Sequence, residues 1–233
     1  MSTSKTVVVV GGSRGIGKGV VDYFLDKNEN VYYLSRTEIK NSEGVHIKAD
    51  ILYYTEIVEA FNRIKRLDSN IDILINCAGV NYCKPLAEID ILEWDEVLKV
   101  NLASYFVSCQ EALKSMKPGG KIVNVSSIAG RNRSIVSGIH YTSSKAGIIG
   151  FTRQLAYEFG HKGININCVC PSQTMTEMLM QSMTTDEQVL LAKNIPLRRL
   201  ATVREIVDPI VFLCSNGSSY IHGACIDING GQL

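Results

Sequence analysis

Residues 6–10 read Thr-Val-Val-Val-Val, and the chain runs from them straight into Gly11-Gly12-Ser13-Arg14-Gly15-Ile16-Gly17. A short β-branched apolar run reads as a strand buried on both faces. Residues 18–26 then take up helical spacing. Strand, glycine turn and helix in that order leave few folds open. The glycines let the backbone turn tightly and come close to a pyrophosphate, while the helix N-terminus offers N–H groups and the positive end of its dipole. Gly11, Ser13, Arg14, Gly15, Ile16 and Gly17 are therefore candidate phosphate-binding residues. Their Gly-x-x-x-Gly-x-Gly spacing differs from the commoner Gly-x-Gly-x-x-Gly.

The rest of the chain alternates in the same manner. The patterning predicts strands at 6–10, 31–35, 45–49, 71–76, 121–126, 164–170 and 224–228. It predicts helices at 15–26, 54–67, 93–116, 142–159, part of 177–192, and 203–214. Such alternation implies an α/β fold, a doubly wound parallel sheet of about seven strands with helices on both faces. No repeat or linker divides residues 1–233, which suit one domain. Only eight residues separate Arg36 from Val45, too few for a full crossover helix. A stub or loop is expected there, leaving one sheet face partly uncovered.

A second pattern carries chemistry. Tyr141 and Lys145 stand four apart in Tyr-Thr-Ser-Ser-Lys. On a helix they share one face, a turn apart. A phenol titrates near pH ~10. A nearby ammonium favours the phenolate and lowers that value, so the phenol can exchange a proton with an alcohol or carbonyl oxygen.

Glycine turn and Tyr141-x-x-x-Lys145 together resemble the short-chain dehydrogenase/reductase family, notably its 3-oxoacyl-carrier-protein reductase-like members. The resemblance extends over almost the whole chain. Asn76-Cys77-Ala78-Gly79 looks like the family's Asn-Asn-Ala-Gly, Asn101 matches its active-site asparagine, and Ser126-Ser127 its catalytic serine region. Pro171 and Ile228-Asn229-Gly230-Gly231 match its later motifs. The resemblance implies a Rossmann-type fold binding a nicotinamide dinucleotide. It implies Tyr141 as acid/base, Lys145 lowering its pKa and bonding the nicotinamide ribose, and Ser127 steadying the substrate oxygen. Asn101 would hold a water near Lys145. Ser127 is preferred to Ser126, which points the other way along the strand. Asn76, Ala78, Gly79, Pro171, Thr174 and Thr176 would meet the cofactor. Ser172 stands where the family has Gly, a strained fit if that Gly holds a special backbone angle.

Cofactor choice is readable after the second strand. An acid there would bond a ribose 2′-hydroxyl, whereas an arginine accommodates a 2′-phosphate. Here stand Ser35 and Arg36, with Arg14 in the glycine turn. NADP(H) is expected over NAD(H), the alternative being arginines that are solvated or stacked on adenine. Asp50 and Ile51 match the family's adenine contacts.

A lid is expected within about 175–200. Met175, Met178, Met180 and Met183 there read either as a soft substrate wall or as helix core. Arg131 and Arg133 read as contacts for an anionic substrate or as a solvated loop. Net charge is +1 and no apolar run approaches a membrane span, so neither nucleic acid nor membrane is an expected partner. The polar N-terminus lacks a signal peptide's apolar core. Seven scattered cysteines suit reduced thiols in a cytoplasm. No metal is expected. Cys168-x-Cys170 would put two thiols on one face with no second pair elsewhere.

Helix 142–159 carries apolar residues beyond one face. Ile148, Phe151, Leu155 and Phe159 form one stripe, and Ile149 and Ala156 lie to another side. With the resemblance this implies a homotetramer, or failing that a dimer. Three functions stay open. The first is a carbonyl reductase using NADP(H). The second is an NAD(P)-dependent dehydrogenase of a sugar, polyol or steroid alcohol. The third is a non-catalytic nucleotide sensor.

Overall fold

The computed structural model describes residues 4–233; residues 1–3 of the polar N-terminus lie outside them. Seven strands form one parallel sheet. They are β1 (Thr6–Val10), β2 (Asn30–Ser35), β3 (Val45–Lys48), β4 (Ile73–Asn76), β5 (Lys121–Val125), β6 (Asn165–Pro171) and β7 (Cys225–Ile228). Their order is β3-β2-β1-β4-β5-β6-β7. The order reverses between β1 and β4, and the crevice at the carboxyl ends of those strands is where such sheets bind ligands.

The valine run of β1 serves both faces, because successive side chains alternate across a strand. Val7 and Val9 meet Val20, Val21 and Phe24 of α1 (Gly15–Leu25) and Ile206 and Ile210 of α8 (Val203–Leu213). Val8 and Val10 meet Ile57, Phe61 and Ile64 of α2 (Tyr54–Leu67) and Ala112 of α4 (Ser104–Leu113). All four are fully buried, each stabilising by about 1.5–3 kcal/mol. A charge at Val8 or Val9 would break one core outright.

The 37–44 connection is a loop, as its length requires. Its sheet face is better covered than expected. The Tyr33 ring stacks on His46 at 5.1 Å, and its hydroxyl accepts the Ile39 N–H at 3.0 Å. Tyr33 is fully buried. Only at edge strand β3 does the expectation hold, with Ile47 alone buried.

The single helix expected over 93–116 is corrected to two. α3 (Ile91–Leu98) starts earlier because the Asp90 side chain caps it, accepting the Glu93 N–H at 2.8 Å. A π turn at Lys99–Ala103 then breaks the register before α4. The extra residue turns both Val100 and Asn101 inward. The Ser104 and Ser108 hydroxyls bond back to the carbonyls four residues earlier, at 2.6 and 2.7 Å.

α5 (Ile139–Phe159) lies over β5 and β6. Ile149 and Ala156, read as a second exposed side, are buried within their own chain. The remaining helices, α6 (Glu177–Ser182) and α7 (Thr185–Lys193), stand over the carboxyl ends of the strands. The Thr184 side chain and Glu187 form a capping box that starts α7. Among the described residues, no helix is long and apolar enough to cross a membrane.

Candidate active site

One cavity of about 650 Å³ opens at the carboxyl end of the sheet. Its floor is the glycine turn. Gly11 has φ +82°, and a Cβ there would sit 2.7 Å from the Ala78 backbone. A Cβ on Gly17 would sit 2.1 Å from the Gly11 carbonyl oxygen. Real side chains do not tolerate such contacts, so the turn admits only glycine at these positions. At the helix entrance the Gly15 N–H donates to the Glu177 carboxylate at 3.0 Å. That carboxylate stands where a phosphate oxygen would, at the positive end of α1. The turn thus fits a dinucleotide, with an anion site already occupied by a side chain of the chain itself.

Beside the turn, Arg14 and Arg36 are exposed at the cavity edge, and Ser13 and Ser35 line it. The Ser35 hydroxyl donates to the Thr37 carbonyl at 2.6 Å. Asp50 accepts the Leu52 N–H at 3.1 Å, which fixes its carboxylate next to Ile51 on the cavity wall. Ile16, Ala78 and Gly79 line the same space.

Asn76 and Asn101 depart from expectation. Asn76 is fully buried and points away from the cavity, donating to Asn124 Oδ1 at 2.9 Å. It ties β4 to β5 rather than reaching a cofactor. Asn101 is also fully buried. Its side chain clamps the Val80 backbone, accepting the N–H at 2.8 Å and donating to the carbonyl at 2.9 Å, and reaches Ser144 Oγ at 3.1 Å. It holds the 79–81 loop against α5.

Tyr141, Ser127 and Lys145 are brought together. Ser127, Tyr141 and Lys145 all line the cavity, and the Ser127 hydroxyl accepts the Ala129 N–H at 3.1 Å. Ser126 turns inward instead, donating to the Lys145 carbonyl at 2.7 Å. Lys145 Nζ donates to the Val125 carbonyl at 2.9 Å and lies 5.6 Å from the Tyr141 ring centre. Burial pulls Lys145 down to about 8. Burial pushes Tyr141 up, opposed by the Ser127 hydroxyl. Lys145 is not among the groups that shift the phenol in this arrangement, its Nζ being engaged with the Val125 carbonyl.

Three residues of this site escaped the sequence reading. Tyr105 is fully buried, and its hydroxyl reaches the Ala78 and Val125 carbonyls at 2.9 and 3.1 Å. Lys145 Nζ lies 5.5 Å from its ring centre, so the ammonium sits between two aromatic rings. Its one signal was a position four residues after Asn101, on the same helical face. His140 Nδ1 accepts the Tyr141 N–H at 2.8 Å while its Nε2 meets Glu93 at 3.1 Å. That pairing fixes the ring with Nε2 as donor. The third is Glu177.

At the far end, Thr174 is buried, and its hydroxyl donates to the Ser172 carbonyl at 3.0 Å. Thr176 caps α6, and Pro171 lines the cavity. Ser172 has no positive φ and its N–H donates to the Ile228 carbonyl at 2.9 Å, so it carries no strain. Met178 and Met183 face the cavity, whereas Met175 and Met180 are exposed outside it. Leu179, Met183 and Val136 pack on Leu191, Ile195 and Leu200. Arg131 pairs with Asp227 at 3.0 Å, and neither it nor Arg133 lines the cavity, which removes them as anion contacts. Among the described residues, no group of three acidic, histidine or cysteine side chains could hold a metal ion.

Comparison with known proteins agrees with this geometry. Residues 11–232 match the family model described as Enoyl-(Acyl carrier protein) reductase. The 3-oxoacyl-(acyl-carrier-protein) reductase FabG of Aquifex aeolicus is 34% identical over 98% of this chain and 97% of its own. The ligand-free aldohexose dehydrogenase of Thermoplasma acidophilum superposes with a TM-score of 0.92 at 25% identity, covering 98% of this chain and 94% of its own. A Burkholderia cenocepacia short-chain dehydrogenase in complex with NADP gives 0.91 at 25% identity, over 98% and 97%. The chain belongs to the short-chain dehydrogenase/reductase family of oxidoreductases.

Proposed function

We propose that the protein reduces a carbonyl to a secondary alcohol, or runs the reverse, with NADP(H) as cofactor and Tyr141 as acid/base. The observation that carries this reading is that Ser127, Tyr141 and Lys145 line the same cavity as the glycine turn. Gly11, Gly15 and Gly17 would receive the pyrophosphate. Arg14 and Arg36 would hold the 2′-phosphate, with Ser13 and Ser35 beside it, and Asp50 and Ile51 would flank the adenine. Ala78, Gly79, Pro171, Thr174 and Thr176 would line the nicotinamide half. Bound there, the nicotinamide supplies or accepts the hydride.

The chain's own residues manage the proton. Tyr141 gives its phenolic proton to the substrate oxygen during reduction, and Ser127 donates a hydrogen bond to the same oxygen as charge develops. Lys145, held near pH 8, is poised to resupply that proton. Asn101, Tyr105 and His140 position these groups without touching the substrate. The Val136, Leu179 and Met183 wall suits an apolar chain such as a 3-oxoacyl group, the substrate class that the name of the Aquifex relative prints. Residues 175–200 would act as its lid.

A second reading has one observation in its favour. Glu96 and Glu187 also line the cavity, and carboxylates accept bonds from sugar hydroxyls. It would make the protein a dehydrogenase of a polyol or sugar using NAD(P). Fluorescence titration with NADPH and NADH, followed by a panel of carbonyls and alcohols, separates the two. The proposal expects NADPH to bind more tightly and 3-oxoacyl thioesters to turn over. Preference for NADH, or turnover of sugars alone, would favour the second. We further propose a cytoplasmic homotetramer, or a dimer, with the exposed Phe106 and Tyr157 of the long helices in an interface.

A further inference from the structure

β6 and β7 show the α5 face of the sheet an unusual set of side chains. Val169 and Ile226 turn toward α1 and α8, and their neighbours Cys168, Cys170 and Cys225 turn the other way, beneath Ile149. Cys225 adds one further thiol beside Cys168 and Cys170, not a second pair. Strand register sets Cys168 directly opposite Cys225, and Cys170 opposite Asp227.

Cys168 is fully buried, packed in one cluster with Cys170 and against Cys225. Cys225, on the edge strand, is partly exposed. The Arg153 guanidinium brings positive charge to it, and Arg131, itself paired with Asp227, adds more. The neighbouring Cys168 thiol, then the two arginines, lower the Cys225 thiol against burial, while the neighbouring thiols push Cys168 up. Cys225, partly exposed and beside the two arginines, is thus the thiol of the pair that ionises more readily. Cys170 is also lowered by Cys168, but it is fully buried.

Geometry selects the partner. Neighbouring strands lie about 4.7–4.9 Å apart, inside the roughly 4.4–6.8 Å span that a disulfide bridges. Residues two apart on one strand lie about 6.6 Å apart, at the far end of that span.

We propose that Cys225 and Cys168 form a reversible redox pair, oxidised by a hydroperoxide to a disulfide that staples β7 to β6. The Cys225 thiolate attacks the terminal oxygen of the hydroperoxide. An S–O bond forms, the O–O bond breaks, and the leaving alkoxide takes up the proton that Cys225 had released. The Cys168 sulfur then attacks the sulfenic sulfur. The S–S bond forms, the S–O bond breaks, and hydroxide leaves with the Cys168 proton as water. Two thiols and one hydroperoxide become one disulfide, one alcohol and one water. A cross-strand bridge confined by sheet geometry belongs to the readily reduced class.

The test treats the reduced, folded, full-length protein with a small excess of hydrogen peroxide. Remaining thiols are then alkylated and the peptides mapped without reduction, with fragmentation to tell Cys168 from Cys170 and Cys225 from Cys214. In a Cys83→Ser background, which removes the exposed thiol, two thiols are lost together. A Cys168–Cys225 link is recovered, and dithiothreitol restores both thiols. In Cys168→Ser, dimedone captures a sulfenic acid at Cys225. The proposal is overturned if Cys225 keeps its thiol in the wild-type protein while Cys83 oxidises. A link from Cys225 to any other cysteine, or to a second copy of the chain, would also overturn it.

Discussion

The two ends of the cavity are built on different physical terms. At the glycine-turn end, backbone makes the surface. Gly11 and Gly17 have no room for a Cβ, and β1 beneath them is wholly buried. At the substrate end, side chains make the surface. Met178 is 41% exposed, and α6 has only six residues. A backbone-built site tolerates almost no change, whereas a side-chain-built site can be altered without touching the fold. This explains how one scaffold keeps its nucleotide chemistry while its substrate changes.

The comparison is broken most severely by Gly17→Ala. The added methyl would meet the Gly11 carbonyl at 2.1 Å, so the turn must open. Destabilisation above about 4 kcal/mol is expected, whereas Met178→Ala stays within about 0.5 kcal/mol. Denaturant midpoints of the two variants test this. Equal shifts would dissolve the distinction.

The next effect is on cofactor choice. Arg36→Asp replaces the proposed phosphate partner with a group that repels phosphate and bonds a ribose hydroxyl. A charge-assisted contact is worth about 1.5–3 kcal/mol, so NADPH affinity falls roughly ten- to a hundredfold and NADH affinity rises. Titrations that show no change in the NADPH-to-NADH ratio would remove Arg36 from the site.

Lys145→Met isolates the cost of burying an ammonium. The folded-state pKa is lowered to about 8, so below pH 8 the buried charge carries its full penalty. Between about pH 8 and the unfolded value near ~10.4, the unfolded chain binds the extra proton, and wild-type stability rises with pH. At pH 7 the variant is therefore more stable, by on the order of 2 kcal/mol or roughly 5 °C in Tm, though inactive. The gap closes toward pH 10. A variant less stable at pH 7 would contradict the direction assigned to Lys145.

Glu177→Gln has the smallest effect and joins the two ends. Its carboxylate holds the Gly15 N–H from the substrate side. Removing the charge should tighten NADPH by about three- to tenfold, the worth of one contested hydrogen bond. Unchanged affinity would mean that the contact does not compete with phosphate.

What could be read from the sequence follows the same division. The glycine turn, the parallel sheet implied by alternation and the Tyr141–Lys145 pair depend on local spacing, which a sequence displays. The π turn at Lys99–Ala103 was hidden because one inserted residue leaves the apolar periodicity nearly intact. Asn76 was read toward the cofactor, yet its strand-end side chain faces the sheet interior and Asn124. Glu177 and the Cys225 partnership were invisible because each joins segments distant in sequence. Glu177 meets Gly15 across 162 residues, and Cys225 meets Cys168 through strand register.

Tyr141→Phe tests the central claim most directly, because it removes only the phenolic oxygen and its proton. NADPH binding measured by fluorescence should stay within about twofold of wild type. Turnover of the best carbonyl substrate should fall roughly a hundred- to ten-thousandfold, the usual worth of a positioned acid. Turnover near the wild-type rate with intact cofactor binding would show that another group carries the proton and that Tyr141 is not the acid/base.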